Sequence, residues 1–315
     1  MASAASSAST ARPSRLRSYL ELVRFSHTIF ALPFAIMAVL IAARTGGVEG
    51  VVPAGLSGWL RPAVGILLCM VSARTAAMAF NRLVDRTFDA ANPRTASRHL
   101  PRGALGVGEV LLLVVVSCTA FVASTLLFLP NWLPLALSLP VLAWLLGYSY
   151  AKRFTMLAHV WLGAALGLAP VAAWIALRGE ALLSDPADIL PAAILGLAVT
   201  AWVAGFDTIY ACQDAEFDAA HGLQSIPARL GVPRALSLAA VLHGATLLLL
   251  SLLPAVVPQL GPIYWFALAA ITALLVWEHS IVRPDDLSRV NEAFFNANAL
   301  IGVVLLAAIA ADLWW

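Results

Sequence analysis

Apolar residues along this chain gather into long runs separated by short polar stretches, and that pattern sets the class before any motif is read. Crossing a hydrocarbon core takes roughly 20 mainly apolar residues in helical form. Nine runs reach that length, over residues 16–43, 61–86, 106–129, 132–150, 155–178, 188–212, 234–254, 261–282 and 290–313. Each is expected to be helical, because lipid offers no partner to the open edge of a sheet. The pattern therefore predicts an all-α, polytopic membrane protein, a bundle of about nine transmembrane helices. Residues 1–11, rich in Ala and Ser, read as a disordered N-terminal tail, which leaves 12–315 as a single transmembrane domain. The run near residue 30 is too long for a typical signal peptide and lacks its small-residue cleavage site, so the first segment is expected to be retained.

Composition agrees: 61% of residues are hydrophobic and 11% charged, too little charge for a soluble surface. The net charge of +2 matters less than its distribution. Numbering the segments alternately in and out puts Arg12, Arg15, Arg17 and Arg24 on one face. Arg82, Arg86, Arg94, Arg98, Arg102, Lys152, Arg153, Arg229, Arg234, Arg283 and Arg289 join them, against Arg44, Arg61 and Arg178 on the other. The excess predicts an N-terminus in the cytoplasm and a multi-pass protein of the inner (plasma) membrane. No basic domain exists to bind nucleic acid. Cys69, Cys118 and Cys212 lie far apart in apolar segments, so neither a disulfide framework nor a CxxC zinc site is available. Trp59, Trp132, Trp314 and Trp315 fall at segment ends, as an interfacial belt requires.

Carboxylates at the ends of membrane segments are costly, and two clusters of them stand out. The first reads Asn81-Arg-Leu-Val-Asp85-Arg-Thr-Phe-Asp89, and the second Asp207-Thr-Ile-Tyr210-Ala-Cys-Gln-Asp214-Ala-Glu-Phe-Asp218. Helical spacing of four sets Asn81, Asp85 and Asp89 along one stripe that turns by only about 80°. Asp214 and Asp218 repeat the spacing, with Asp207 two turns before. One such pair beside Arg is ordinarily a solvated, salt-bridged helix end. Two copies at equivalent ends of segments two and six argue for a site. Hard oxygen ligands of this kind suit Mg²⁺, which takes one or two carboxylates and fills its shell with water and substrate phosphate. Arg94, Arg98, Lys152, Arg153 and Arg229 lie in the adjoining loops, where cations would take up phosphate charge.

The same residues resemble the signatures of the UbiA prenyltransferase superfamily. Asn81-xxx-Asp85-xxx-Asp89 followed by Asn92-Pro-Arg-Thr-Ala-Ser-Arg98-His-Leu-Pro101-Arg-Gly103 is similar to its first motif. Asp207-xx-Tyr210-Ala-xx-Asp214-xxx-Asp218, running on through Gly222 and Ser225, is similar to its second. Tyr148-xxx-Lys152-Arg153-x-Thr155-xxx-His159 resembles the family's segment-four loop. The likeness runs from about residue 16 to the C-terminus, and the Asn-Pro-Arg-Thr-Ala stretch is closest to the bacterial aromatic-acid branch that serves quinone biosynthesis.

That resemblance implies Mg²⁺-dependent transfer of a polyprenyl group from its diphosphate to a 4-hydroxybenzoate-like aromatic acid, in a cavity on the cytoplasmic side. It implies Asp85, Asp89, Asp214 and Asp218 as metal ligands, with Asn81 as a further ligand or an orienting group. Asp207, Lys152 and Arg153 become catalytic groups, and Arg24, Asn81, Arg94, Arg98, Tyr148 and Tyr210 substrate-binding ones. Lys152, Arg153 and Arg98 would stabilise departing pyrophosphate. Asp207 would orient the acceptor or take the ring proton, or else hold Tyr210. Arg24 or Arg74 would pair with the acceptor carboxylate. Segment one departs from the pattern: the family's 4-hydroxybenzoate enzymes share Arg-x-Asp-x-Pro-Ile-Gly, whereas this chain reads Arg24-Phe-Ser-His27-Thr-Ile-Phe. That version is similar to relatives in the futalosine route to menaquinone, so a dihydroxynaphthoate acceptor stands as the alternative.

Three other classes compete with this reading. An ion-coupled transporter tends to carry its acids near the bilayer midplane, not at segment ends beside basic loops. A CDP-alcohol phosphotransferase would open with Asp-Gly-xx-Ala-Arg, which is missing here. A catalytically silent quinone-binding scaffold has no use for both acidic clusters. His27, His243 and His279 are isolated on apolar stretches and read as packing residues.

Overall fold

The computed structural model of the chain describes residues 15–23, 31–45, 55–292 and 298–315. Among them the architecture is all-helical, apart from turns and one isolated bridge between Arg283 and Asp286. In chain order the helices are α1 (Arg15–Leu22), α2 (Leu32–Arg44), α3 (Gly55–Val84), α4 (Arg86–Ala91), α5 (Val107–Thr125), α6 (Leu133–Ala151) and α7 (Ala158–Ser184). Then follow α8 (Leu190–Ala211), α9 (Ala215–Ala220), α10 (Ile226–Leu230), α11 (Val232–Val256), α12 (Pro262–Ile281), α13 (Val290–Glu292) and α14 (Asn298–Trp314).

Seven stretches among the described residues are long and apolar enough to cross a membrane, carried by α3, α5, α6, α7, α8, α11 and α12. The apolar helices α2 and α14 are shorter, 13 and 17 residues. The expected first segment, 16–43, corresponds to α1 and α2, and the expected ninth to α13 and α14. The proposed tail at 1–11, together with Arg24 and His27, lies outside the described residues.

The fifth segment was expected to end at residue 178, but α7 continues to Ser184 through a kink at Arg178 (φ −118°, ψ 19°). Arg178 is therefore no loop residue. It is 2% exposed, its guanidinium donates to Asp188 at 2.6–3.1 Å and to the Thr45 carbonyl at 2.9 Å, and Trp174 donates to the same carboxylate. A buried cation persists when its whole donor fork is matched in this way. Arg61 donates to the Leu129 carbonyl and Arg44 lies over the Trp314 ring, so these cations tie element ends together.

Trp174, Trp202, Phe34, Met37 and Tyr264 fill the main core where α2, α7, α8, α11 and α12 meet. Leucines such as Leu67, Leu112, Leu139 and Leu248 remain exposed on the outside, as lipid-facing positions must. Between lipid-bathed helices no hydrophobic force drives association, and close backbone approach through small residues replaces it. Gly163 and Gly167, four apart on α7, supply that contact. A Cβ at Gly163 would overlap the Thr200 carbonyl oxygen of α8, one at Gly167 would overlap the Gly196 carbonyl oxygen, and one at Gly196 would lie 2.7 Å from the Gly167 carbonyl oxygen.

Alanine in place of a mid-helix glycine ordinarily gains up to about 1 kcal/mol. Gly244→Ala, where a Cβ meets nothing within 4 Å, should be neutral or stabilising in thermal unfolding of detergent-purified protein. Gly163→Ala should instead lower the unfolding midpoint, because its methyl group would strike backbone. A stabilised Gly163→Ala variant would show that α7 and α8 do not touch there.

Candidate active site

The two acidic clusters adopt the same local structure. Helix α3 stops at Val84, Asp85 takes φ −92° and ψ 5°, and the six residues Arg-Thr-Phe-Asp89-Ala-Ala form α4. Helix α8 stops at Ala211, a 3-10 turn leads to Asp214 at φ −106° and ψ 6°, and Ala-Glu-Phe-Asp218-Ala-Ala forms α9. The first aspartate of each pair thus sits in the bridge region at a helix break, and the second is buried on the short helix that follows. An unbroken helix was expected through each stripe. The acidic spacing survives the first break because Asp85 N–H still donates to Asn81 O at 2.9 Å and Asp89 N–H to Asp85 O at 2.7 Å.

Both devices face one cavity of about 310 Å³. Asn81, Asp85, Asp89, Arg94 and Arg98 line it from the first cluster and its loop. Tyr148, Lys152 and Arg153 line it from the end of α6, and Asp207, Tyr210, Asp214 and Asp218 from the second cluster. The candidates named from the sequence therefore meet in one place, apart from Arg229 and from Arg24, which lies outside the described residues. Arg229 does not join them: it donates to Gln224 and is absent from the cavity wall.

Charges pair across the cavity. Asp89 accepts from Arg98 at 2.5 Å, Asp218 from Lys152 at 3.3 Å, and Asp85 from Arg153 at 3.4 Å. Asp214 holds the Arg94 fork, with Nε at 2.8 Å, and accepts a further bond from Asn92 at 3.1 Å. Arg94 belongs to the first cluster's loop and Asp214 to the second cluster, so this pair clamps the two halves. Lys152 and Arg153 reach to opposite clusters from the α6–α7 turn. Asn81 donates to Asp85 at 2.8 Å, and Arg94 also donates to the Tyr210 hydroxyl at 3.0 Å. Burial, and then the neighbouring charge of Asp89, hold the Asp85 carboxyl above the usual carboxylate range, only partly offset by Arg153.

The donor set fits a hard divalent cation that shares its shell with phosphate. Asp89 Oδ2 is buried and accepts no hydrogen bond among the described residues, an expensive arrangement unless it has a ligand to meet. No three His, Cys, Asp or Glu side chains among those residues stand close enough to hold an ion alone. Mg²⁺ does not ask for that, since it completes its octahedron with water and substrate oxygens.

Behind the charged cavity lies an apolar chamber of about 320 Å³, walled by residues such as Phe121, Phe128, Leu137 and Leu145. Arg74, Met78, Tyr148, Leu162 and Leu166 line both spaces and form their common boundary. Arg74 thus fronts a polar space from within a membrane segment.

Sequence reasoning gave no role to Asn92, Thr95, Arg82 or His159. Asn92 binds Asp214, Thr95 donates to the Asp89 carbonyl at 3.0 Å, and Arg82 lines the cavity. His159 is buried with Nδ1 2.6 Å from Asp207 Oδ2. All four lie within or beside the quoted motifs, which was the available signal. His243 and His279, expected to be isolated, are 2.9 Å apart beside buried Glu278. Trp202, Asn298 and Glu278 are hydrogen-bonded in series next to them, away from the cavity wall.

The model of the UbiA prenyltransferase family matches residues 31–300. A 4-hydroxybenzoate octaprenyltransferase of Alkalilimnicola ehrlichii is 32% identical over 252 residues, covering 79% of this chain and 82% of that protein. The 4-hydroxybenzoate octaprenyltransferase of Methylococcus capsulatus is 31% identical over 313 residues, covering 96% and 97%. The apo structure of a UbiA homolog from Aeropyrum pernix K1 superposes with a TM-score of 0.77 at 34% identity, covering 91% of this chain and 98% of that one. A UbiA homolog from Archaeoglobus fulgidus bound to DMAPP and Mg²⁺ shares the fold, with a TM-score of 0.65 at 21% identity and coverage of 94% and 99%.

The Arg94–Asp214 clamp generates a stability test. Arg94→Gln leaves the Asp214 carboxylate uncompensated, and should cost roughly 2 kcal/mol, less than a fully buried pair because 32% of the Arg94 side chain is exposed. Arg94→Gln combined with Asp214→Asn should recover part of that loss in thermal unfolding. A double variant less stable than Arg94→Gln alone would contradict the clamp.

Proposed function

The chain belongs to the UbiA prenyltransferase family, and from that premise we propose that it transfers a polyprenyl group from a polyprenyl diphosphate to 4-hydroxybenzoate or a close aromatic acid, with Mg²⁺. The observation that carries this reading is the junction of a cavity lined by acids and cations with an apolar chamber. A prenyl diphosphate has the same two-part chemistry.

Asp85, Asp89, Asp214 and Asp218 would hold the metal, and Asn81 would orient Asp85. Bound Mg²⁺ would supply charge neutralisation at the diphosphate oxygens as the allylic C–O bond breaks. Arg94, Arg98, Lys152 and Arg153 can turn from carboxylate to phosphate oxygens without leaving the cavity wall, and they would take up the departing pyrophosphate. The apolar chamber would house the isoprenoid tail and keep water from the allylic carbon. The new C–C bond forms at a ring carbon beside the acceptor hydroxyl, and the proton displaced from that carbon passes to Asp207. Arg24 or Arg74 would pair with the acceptor carboxylate. Arg74 has the support of lining both spaces.

The same proposal takes residues 12–315 as one domain of the inner membrane, with the N-terminus and the charged cavity on the cytoplasmic side. The cation asymmetry supports that orientation, although Arg178 no longer counts as a loop charge. Ser26 and His27 in segment one keep a dihydroxynaphthoate as the second acceptor to test.

Purified protein incubated with geranyl diphosphate, Mg²⁺ and a panel of aromatic acids including both acceptors should give a prenylated product, identified by mass. Asp89→Asn and Asp218→Asn should each slow turnover by on the order of a hundredfold or more, since each removes one charge from the metal clamp. Arg24→Ala should act mainly on the Michaelis constant for the acceptor and leave that for the prenyl diphosphate nearly intact. Near-normal turnover in both aspartate variants would mean that the clusters are solvated helix ends. Exclusive use of the monocyclic acid would remove the naphthoate.

A further inference from the structure

Five aspartates line the charged cavity, and one of them differs from the rest. Asp85, Asp89, Asp214 and Asp218 each face an Arg or Lys. The ionic partner of Asp207 is His159, with Nδ1 2.6 Å from Asp207 Oδ2. His159 is 1% exposed, while 24% of the Asp207 side chain is open.

The hydrogen bonds of His159 fix its proton. Its Nε2 lies 3.4 Å from the backbone nitrogen of Ile226, which can only donate. Nε2 is then the unprotonated acceptor, and the single proton of a neutral imidazole sits on Nδ1, aimed at Asp207. A neutral donor orients a carboxylate and satisfies one of its oxygens. Asp207 is thereby oriented by hydrogen bonding, with 24% of its side chain open on the cavity that it lines.

The placement of His159 follows from the helix packing. His159 lies one turn before Gly163 on α7, and the Gly163 contact with Thr200 brings the start of α7 against the last turns of α8, where Asp207 stands. Ile226 opens α10 directly after Ser225, whose hydroxyl caps that short helix. The neighbouring Gln224 N–H donates to the Lys152 carbonyl at 2.6 Å. The imidazole therefore ties Asp207 on α8 to the start of α10.

We propose that His159 is a positioning residue for proton removal: it holds Asp207 so that the carboxylate meets the hydroxyl-bearing ring of the acceptor, and it takes no part in gripping the diphosphate. This rests on the prenyl-transfer reading above.

A double-mutant cycle separates this role from simple packing. Wild type, His159→Ala, His159→Asn, Asp207→Asn and the His159→Ala/Asp207→Asn double variant are compared with geranyl diphosphate, Mg²⁺ and whichever aromatic acid the wild type prenylates best. His159→Ala should lower kcat by roughly ten- to a hundredfold while the Michaelis constant for geranyl diphosphate stays within about twofold. His159→Asn returns an N–H donor near the position of Nδ1 and should restore most of kcat. In the Asp207→Asn background, loss of the imidazole should cost less than about twofold, because the carboxylate through which it acts is already gone. Multiplicative losses in the double variant, or equal damage to diphosphate binding, would overturn the inference. Should His159→Ala fail to give a monodisperse, cooperatively unfolding protein, His159→Leu, which keeps apolar bulk but offers no donor, and its Asp207→Asn double carry the cycle. Full kcat in His159→Leu, or multiplicative losses in its double, would overturn it equally. A wild type that prenylates no acceptor would overturn the functional reading, and the inference with it.

Discussion

A charged carboxylate inside a membrane bundle is costly unless positive charge or hydrogen bonds match it, because its desolvation otherwise exceeds what helix packing returns. Four such groups, Asp85, Asp89, Asp214 and Asp218, stand around one cavity, and three of them are less than a tenth exposed. Each faces its own cation: Arg153, Arg98, Arg94 and Lys152. Formal charge among these eight groups cancels, so the cavity is tolerable as it stands. On the proposed reading it is also suited to exchange, because a divalent metal and a diphosphate bring charges of both signs at once. Carboxylates can pass to the metal and guanidinium groups to phosphate without any helix crossing the bilayer. The helix breaks at Asp85 and Asp214, the short helices α4 and α9, and the loop carrying Arg94 and Arg98 all serve to bring those eight groups together.

The bundle behind the site meets a different need. Gly163, Gly167 and Gly196 let α7 and α8 approach to backbone contact. That approach carries His159 to Asp207, so packing one turn along α7 shapes the one cavity carboxylate that pairs with no Arg or Lys among the described residues. At the far end of the kinked α7, Arg178 and Asp188 neutralise each other with Trp174 and Thr45 as further partners. One helix thus carries a structural ion pair toward one end and a site histidine at the other.

Much of this was legible in the sequence, because the two signals involved are local. Hydrophobic run length marked the helices, and a spacing of four marked the acid stripes. The candidate metal ligands and phosphate-facing cations named on that basis meet in the cavity, apart from Arg229, which donates to Gln224 instead. Periodicity assumes an unbroken helix and could not find the breaks at Asp85 and Asp214. Nor could it see Arg178 inside α7, since an arginine at the end of an apolar run looks like a loop charge until Asp188 is found beside it. The contact of His243 with His279 and the tie from His159 to Asp207 join residues 36 and 48 positions apart. Such pairs depend on which helix faces are neighbours, information that no single segment holds.

The central claim is that the paired acids and cations form a receptor for a metal diphosphate. Calorimetric titration of the wild type with an unreactive prenyl thiodiphosphate, in Mg²⁺ and again in excess chelator, tests it most directly. The account predicts binding that weakens by at least roughly tenfold without the metal, because the carboxylates then repel the diphosphate they were meant to hold through it. Equal affinity in the presence and absence of Mg²⁺ would contradict it.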